Sequence, residues 1–191
     1  MCIRDRRADI ESVLVSKEQI EQKITQLGRQ ITSDYHGKEI ILACILRGSF
    51  IFAADLARHI DVPMTIEFLS ASSYAKGTET TGNVQIRQDF EVDISGKHVL
   101  LVEDIIDTGL TLSRLRQMLG VRNPASLKIV TLLDKPERRR VDITPDYCGF
   151  TIPDKFVVGY GLDYNNLYRN LPEVCLSLIH ISEPTRRSYI S

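Results

Sequence analysis

The chain has 191 residues, of which 43% are hydrophobic and 26% are charged, and its 24 basic and 25 acidic residues leave a net charge of −1. This composition is typical of a folded domain, and it excludes a disordered chain, a collagen and a coiled coil. The near-neutral charge gives no reason to expect binding along nucleic acid or to an anionic membrane, and the longest apolar run, Ile40–Leu46, is far shorter than the roughly 20 residues that cross a bilayer.

The first predicted elements alternate between helix and strand. Ser16 and Gln19 have the spacing of a capping box, and the apolar residues that follow at helical spacing predict a helix that ends near Gly37. After it, the pattern predicts a strand at 39–45, a helix at 50–60 and a strand at 64–69.

Residues 70–83 differ from their surroundings, because they are polar, rich in serine and threonine, and without periodicity. A long polar loop in a compact domain is usually functional, and a flexible lid is the predicted form. Alternating apolar residues from Val84 to Val92 then predict a strand. The later predicted elements are a strand at 97–102, a helix at 111–119 and a strand at 127–133, followed by shorter pieces at 147–152 and 156–160. Together these elements predict an α/β fold with a twisted, mostly parallel sheet flanked by helices.

The cysteines have no spacing that is typical of a zinc site or a disulfide framework. They are Cys2, Cys44, Cys148 and Cys175. The first residues are charged and contain no apolar segment of a secretory signal, so a cytoplasmic location with reduced thiols is predicted. One domain is predicted at 8–172. The ends, 1–7 and 175–191, are predicted to be non-native or disordered, since they resemble translated adapter sequence and the last segment has no periodicity.

The most informative segment runs from Val99 to Thr111. Apolar strand residues are followed there by Glu103 and Asp104, then by Asp107 and the sequence Thr-Gly-Leu-Thr. In open α/β sheets, ligands bind outside the carboxyl ends of the strands, and a turn that opens a helix aims backbone N–H groups at an anion such as a phosphate. Carboxylates beside a phosphate suit ribose hydroxyls or a Mg²⁺ shell. Taken singly, each carboxylate is equally well explained as a strand end or a helix cap.

This segment resembles the phosphoribosyl-diphosphate (PRPP) signature of type I phosphoribosyltransferases, and Val102–Gly109 is similar to the form found in the hypoxanthine-guanine branch of that family. The resemblance extends over nearly all of 8–172. It implies the fold of the family, with a small hood built partly from the terminal regions. It also implies transfer of the 5-phosphoribosyl group from PRPP to hypoxanthine, and to guanine as well, which gives IMP or GMP and diphosphate in purine salvage.

The resemblance implies a set of residues that bind PRPP and its ribose phosphate. They are Leu46, Arg47, Gly48, Ser73, Tyr74, Glu103, Asp104, Thr108, Gly109, Leu110, Thr111 and Arg169. Arg47 and Arg169 are expected to reach the diphosphate, and the peptide bond between Leu46 and Arg47 is expected to be cis. Leu110 stands where relatives often have a polar residue, so only its backbone N–H is left for the 5′-phosphate.

A second set is implied to bind the purine. It consists of Ile105, Lys135, Phe156, Val157 and Asp163. Lys135 is expected to bond the 6-oxo group, Phe156 to stack on the ring, and Val157 to offer backbone groups to the ring edge. On spacing alone, Phe156 is more simply a core residue.

The resemblance further implies Mg²⁺ as cofactor, held by Glu103, Asp104 and Asp163. Asp107 is implied as the catalytic group, a general acid/base near N7 of the purine. The arginines at 138–140 are interpreted as a solvated surface, which is usual for a run of charge.

The implied partners are small molecules (PRPP, hypoxanthine and guanine), with no nucleic acid and no membrane, and a homo-oligomer, either a dimer or a tetramer, is expected. Two alternatives stay open. One is a phosphoribosyltransferase for another base such as xanthine, and the other is a nucleotide-sensing regulator that keeps the PRPP fold and binds RNA.

Overall fold

The computed structural model describes residues 10–76 and 79–178, with the backbone alone for 72–76 and 79–84. Its helices are α1 (Lys17–Asp34), α2 (Phe50–Ala57) and α3 (Leu110–Gly120), with a short 3₁₀ turn at Pro136–Arg138. Its strands are β1 (Ile10–Val15), β2 (Ile40–Leu46), β3 (Met64–Lys76), β4 (Glu79–Gln88), β5 (His98–Ile106), β6 (Ser126–Asp134), β7 (Tyr147–Thr151), β8 (Val157–Val158) and β9 (Val174–Ser177).

The main sheet has six strands in the order β4-β3-β2-β5-β6-β7. All neighbouring pairs are parallel except β3 and β4, which are antiparallel. The predicted α/β fold with a mostly parallel sheet is therefore confirmed. None of the helices in the described part of the chain has both the length and the apolar character that a membrane span needs.

Helices cover both faces of this sheet. On one face, Leu42 and Leu100 pack with the buried side of α1, which includes Ile24. On the other face, Leu101 packs with Leu115 of α3. Adjacent residues of β5 thus enter two different cores, because successive side chains of a strand point to opposite faces. Strands buried on both faces explain the nearly continuous apolar runs of β2 and β5.

Helix α1 begins as the sequence predicts. The Ser16 side chain accepts the backbone N–H of Gln19, and the Gln19 side chain accepts the backbone N–H of Ser16, which completes the capping box. The helix ends at Asp34, before the turn in which Gly37 has a φ of 72°.

A second, three-stranded sheet has the order β1-β9-β8 and joins the two ends of the described chain. It is antiparallel, with Val15 opposite Val174 and Val158 opposite Cys175. This sheet is the small hood that the resemblance implied. It corrects the expectation for 175–191, because Cys175, Leu176 and Ser177 lie in a strand and Cys175 is fully buried. Residues 1–9 and 179–191 lie outside the described part, so the prediction for 1–7 and for 179–191 stays a prediction.

The predicted loop at 70–83 is also corrected. The structure has two strands there, β3 and β4, with Ser70 opposite Gln88, Ser73 opposite Val84 and Lys76 opposite Glu79. Hydrogen bonds along an antiparallel ladder need no apolar alternation, so a polar strand at a sheet edge leaves no periodic signal. Strand β4 also ends at Gln88, so that Phe90 and Val92 of the predicted strand lie beyond it.

Candidate functional site

The site lies at the edge where three neighbouring strands end. Strands β2, β5 and β6 are parallel neighbours, so Leu46, Ile106 and Asp134 terminate them on the same edge of the sheet. The segments that follow these strands meet there, and this is where open α/β sheets bind their ligands.

The turn at 107–111 connects β5 to α3. Gly109 is the residue before the helix and has a φ of 77°, a left-handed conformation that favours glycine. A Cβ at this position would lie 2.5 Å from Cγ2 of Ile143, so the turn also needs a residue without a side chain. The first backbone bond of the helix runs from Ser113 N to Gly109 O, at 2.9 Å. The N–H groups of Leu110 and Thr111 precede it, and that of Leu110 points to Oγ1 of Thr108 at 3.5 Å. N–H groups at a helix start suit a phosphate.

Asp107 is not the cap of α3, because Gly109 occupies that position. Its carboxylate instead forms an ion pair with Arg138, whose Nε is 2.8 Å from Oδ1. The backbone carbonyl of Asp107 accepts a hydrogen bond from Nη1 of Arg139 at 2.9 Å. The helix-cap explanation of this carboxylate is thereby removed.

The loop after β2 contains the expected cis peptide bond between Leu46 and Arg47. Arg47 is exposed, whereas Ser49 is fully buried and donates from its hydroxyl to the carbonyl of Ile45 at 2.6 Å. Gly48 lies against Asp104 so closely that a Cβ on Gly48 would be 1.6 Å from Oδ2 of the carboxylate. The structure thus brings the loop and the acidic end of β5 together.

Glu103 and Asp104 form an interacting pair of carboxyls. Burial is the main cause that raises the pKa of Glu103 well above its ordinary value, and repulsion by Asp104 adds to it. Burial also raises the pKa of Asp104, although the backbone N–H of Ile105, at 2.8 Å, and the charge of Arg169 act in the opposite direction. Without a ligand, the fold therefore favours a state in which this pair keeps a proton.

We expect Glu103→Gln to stabilise the ligand-free protein at alkaline pH. A carboxyl whose pKa is raised on folding contributes stability below its unfolded pKa and loses it as the pH rises through the folded value. Above the ordinary value of 4.5 the wild type should therefore become progressively less stable than the variant. The expected difference at pH 8 is about 1–3 kcal/mol, the usual cost of an uncompensated buried polar group.

Urea unfolding at pH 5 and pH 8 measures this difference. Glu137→Gln is the matched control, because Glu137 is exposed, and it should leave the free energy of unfolding unchanged at both pH values. A Glu103→Gln protein that is no more stable than the wild type at pH 8 would contradict the prediction.

Arg169 connects the hood side of the site to the same edge. Its Nη2 is 2.7 Å from Oδ1 of Asp163, and its Nη1 donates to the carbonyl of Gly161 at 2.6 Å. Gly161 packs on the loop after β2, since a Cβ there would lie 2.1 Å from the carbonyl oxygen of Gly48. Asp163, predicted as a metal ligand and purine contact, is therefore engaged with Arg169 in this structure.

Of the residues predicted to bind the purine, Lys135 contacts the chain just before Phe156 and Val157. The Lys135 side chain is 5% exposed, and its Nζ donates to the carbonyl of Lys155 at 2.6 Å. Phe156 is half-buried and packs edge-on against Tyr164, with ring centroids 5.9 Å apart. Val157 is buried in β8, and the half-buried Ile105 belongs to the same strand as Glu103 and Asp104. Ser73 and Tyr74 have their backbone in β3, and their side chains lie outside the described residues.

The arginines at 138–140 were expected to form a solvated surface, and for Arg138 and Arg139 this is wrong. Arg138 pairs with Asp107, and Arg139 pairs with the buried Asp134 and binds the carbonyl of Asp107. Only Arg140 has an exposed side chain, while its backbone N–H binds the carbonyl of Thr108 at 3.0 Å. Their single sequence signal is that they follow Lys135 at the ligand edge, where the segments after β5 and β6 meet.

The donor set fits a hard divalent cation. Within the described residues, no three side chains of the types His, Cys, Asp and Glu converge as a metal site. Glu103 and Asp104 nevertheless offer adjacent carboxyl oxygens that repel each other when both groups are ionised, and Mg²⁺ is commonly held by one or two carboxylates together with substrate oxygens. A cation in place of the shared proton relieves the same repulsion.

Comparisons with known proteins show which family this chain resembles. The sequence model of the phosphoribosyl transferase domain family matches residues 13–165 of this chain. A hypoxanthine phosphoribosyltransferase of Salmonella typhimurium is 54% identical over 164 residues, which are 85% of this chain and 92% of that protein. A hypoxanthine-guanine phosphoribosyltransferase of Streptococcus pneumoniae is 55% identical over 166 residues, which are 87% of this chain and 92% of that protein. A crystal structure of a hypoxanthine phosphoribosyltransferase from Staphylococcus aureus superposes with a TM-score of 0.91 at 45% identity, covering 96% of this chain and all of that one.

Proposed function

The chain belongs to the phosphoribosyltransferase family, and from that premise we propose that it transfers the 5-phosphoribosyl group of PRPP to hypoxanthine, and also to guanine, in purine salvage. The observation that carries this proposal is the convergence at one sheet edge of a helix-start turn, a pair of adjacent carboxyls of which Asp104 is buried, and a buried lysine. The regulator that binds RNA has no support from the relatives, which are named as transferases.

The PRPP half of the site is proposed at the ends of β2 and β5. The N–H groups and hydroxyls at Thr108–Thr111 would bind the 5′-phosphate, because they stand at the positive end of α3. Glu103 and Asp104 would accept hydrogen bonds from the ribose hydroxyls. Arg47, which is exposed in the loop after β2, would neutralise charge on the departing diphosphate together with Arg169.

The purine half is proposed around Lys135. An ammonium group only donates hydrogen bonds, so it favours a 6-oxo acceptor over a 6-amino group. Phe156 would stack on the ring, and the backbone of Val157 would bind its edge. In this reading, the bond that Lys135 now makes to the carbonyl of Lys155 holds its ammonium group near the ring position.

In the proposed reaction, N9 of the purine forms a bond to C1 of the ribose while the bond between C1 and the diphosphate oxygen breaks. The purine loses one proton overall, and Asp107 is the proposed acceptor, acting at N7 as general acid/base. The carboxylate is 26% exposed at the sheet edge, so a ligand there can reach it.

Mg²⁺ is the proposed cofactor, with Glu103 and Asp104 as its candidate ligands from this chain and Asp163 close to Arg169 as a further candidate. When bound, it would supply positive charge to the diphosphate and so assist its departure. A cytoplasmic location and assembly into a dimer or tetramer belong to the same proposal.

One assay tests this function. Consumption of PRPP is measured with hypoxanthine, guanine, xanthine and adenine in turn, and we expect turnover with the first two and little with adenine. Excess chelator should stop the reaction and added Mg²⁺ should restore it. Turnover with xanthine alone would favour the sister transferase, and equal kcat/KM for adenine and hypoxanthine would contradict the role of Lys135.

A further inference from the structure

Arg138 lies between the two halves of the site and contacts both. Its Nε is 2.8 Å from Oδ1 of Asp107, and its Nη1 is 3.3 Å from Oδ2 of Asp154. Asp154 in turn lies 3.8 Å from Nζ of Lys135. Four groups of alternating charge therefore link the proposed proton acceptor to the proposed purine-binding lysine.

The chemistry of arginine suits this bridge. A guanidinium carries five N–H donors in a rigid, planar fork, so different nitrogens of one side chain can serve two carboxylates at once. The Arg138 side chain is only 28% exposed, and its backbone N–H is fixed by the carbonyl of Lys135 at 3.2 Å in the 3₁₀ turn. The bridge is thus anchored at the base of the purine site and is partly shielded from solvent, where ion pairs are screened less than on an open surface.

The two neighbouring arginines, Arg139 and Arg140, make different contacts from Arg138. Arg139 is committed to the buried Asp134 and to the backbone of Asp107. Arg140 has an exposed side chain and contacts the turn through its backbone alone among its described contacts. Of the three, Arg138 is therefore the one whose side chain meets the Asp107 carboxylate.

We propose that Arg138 is a positioning residue, which holds the Asp107 carboxylate in the orientation for proton transfer and couples that orientation, through Asp154, to the purine side of the site. The inference rests on the proposed role of Asp107. Proton transfer needs a fixed distance and direction between the two reacting atoms, and a carboxylate at the end of a turn rotates freely unless a partner fixes one of its oxygens. The ion pair with Arg138 is made at Oδ1 of this carboxylate.

Arg138→Gln should lower kcat by about 10–100-fold, the range known for outer groups that orient the ligands of a metal site. KM for PRPP should change by less than about threefold, because the phosphate-binding turn is untouched. Arg138→Lys keeps the charge but cannot span both carboxylates. Its kcat should lie between that of the wild type and that of Arg138→Gln. Arg140→Gln is the matched control and should keep the wild-type kcat.

A double-mutant cycle decides whether Arg138 acts through Asp107. If it does, Arg138→Gln should cause no further fall in kcat in an Asp107→Asn background, since coupled residues are not additive. An equal fall in both backgrounds, or a changed KM for PRPP with unchanged kcat, would overturn the positioning role and leave the proposed function intact. A silent Asp107→Asn would instead overturn the proposed role of Asp107, on which the inference rests. Thermal unfolding of each variant checks its folding, and if Arg138→Gln does not fold, Arg138→Lys takes its place in the cycle.

Discussion

Asp107→Asn should lower kcat by about 10²–10⁴-fold, the usual contribution of a general acid/base. Asparagine keeps the size and polarity of the side chain, but it cannot accept the proton that the purine loses. KM for PRPP should change less, because the phosphate-binding turn Thr108–Thr111 remains. The helix-cap alternative predicts a nearly silent change, since asparagine is also a good cap, but α3 is capped by Gly109.

Steady-state kinetics with hypoxanthine at saturating PRPP measures the effect. Asp142→Asn is the matched control, because Asp142 is exposed in the segment that packs on the same turn, and it should keep the wild-type rate. A kcat for Asp107→Asn within about threefold of the wild type, which is a difference below about 1 kcal/mol in the barrier, would exclude the catalytic assignment.

Elements whose burial follows a regular period were predicted from the sequence. Helix α1 was found because Ile20, Ile24, Leu27 and Ile31 face the core at helical spacing and Ser16 caps them. Strand β2 was found because it is buried on both faces. In these elements the period of burial and the local backbone preference agree, so a single stretch of sequence is sufficient.

Elements held by partners far away in the chain were not predicted. Strand β9 lies between β1 and β8, and Val174 pairs with Val15, a residue from the other end of the described chain. The strands β3 and β4 continue through 70–76 and 79–83 by pairing with each other. A four-residue strand or a polar edge strand carries no period of its own, so only the fold reveals it.

The residues of the candidate site also fall into those that a local sequence pattern predicts and those that depend on the fold. Glu103, Asp104 and Asp107 were found because they follow an apolar strand and precede a turn at a helix start. Arg138 was missed, because its partner Asp107 lies on another loop, and a run of arginines is ordinarily solvated. Their contact depends on β5 and β6 being neighbours in the sheet, which no local pattern states.

Gly48→Ala should lower kcat/KM for PRPP by about 10²-fold, the effect of displacing a reacting group by about an ångström. Gly48 is not in the left-handed region, so glycine is needed there for space alone. A Cβ at this position would lie 1.6 Å from Oδ2 of Asp104, a buried carboxylate that is fixed by the N–H of Ile105. The loop also cannot retreat easily, because Gly161 packs against the carbonyl of Gly48 from the hood side.

The added methyl group must therefore separate the proposed diphosphate loop from the proposed ribose-binding carboxylates. Gly120→Ala is the matched control, because a Cβ on Gly120 at the end of α3 would meet nothing within 4 Å. It should keep the wild-type kinetics, and alanine in place of glycine should if anything stabilise the helix. Thermal unfolding of both variants separates a local displacement from a loss of folding. A Gly48→Ala protein that folds and keeps kcat/KM for PRPP within about threefold of the wild type would show that the contact between the loop and Asp104 has no part in binding PRPP. The distance between Gly48 and the Asp104 carboxylate, which the added methyl group must alter, would then have no effect on the substrate.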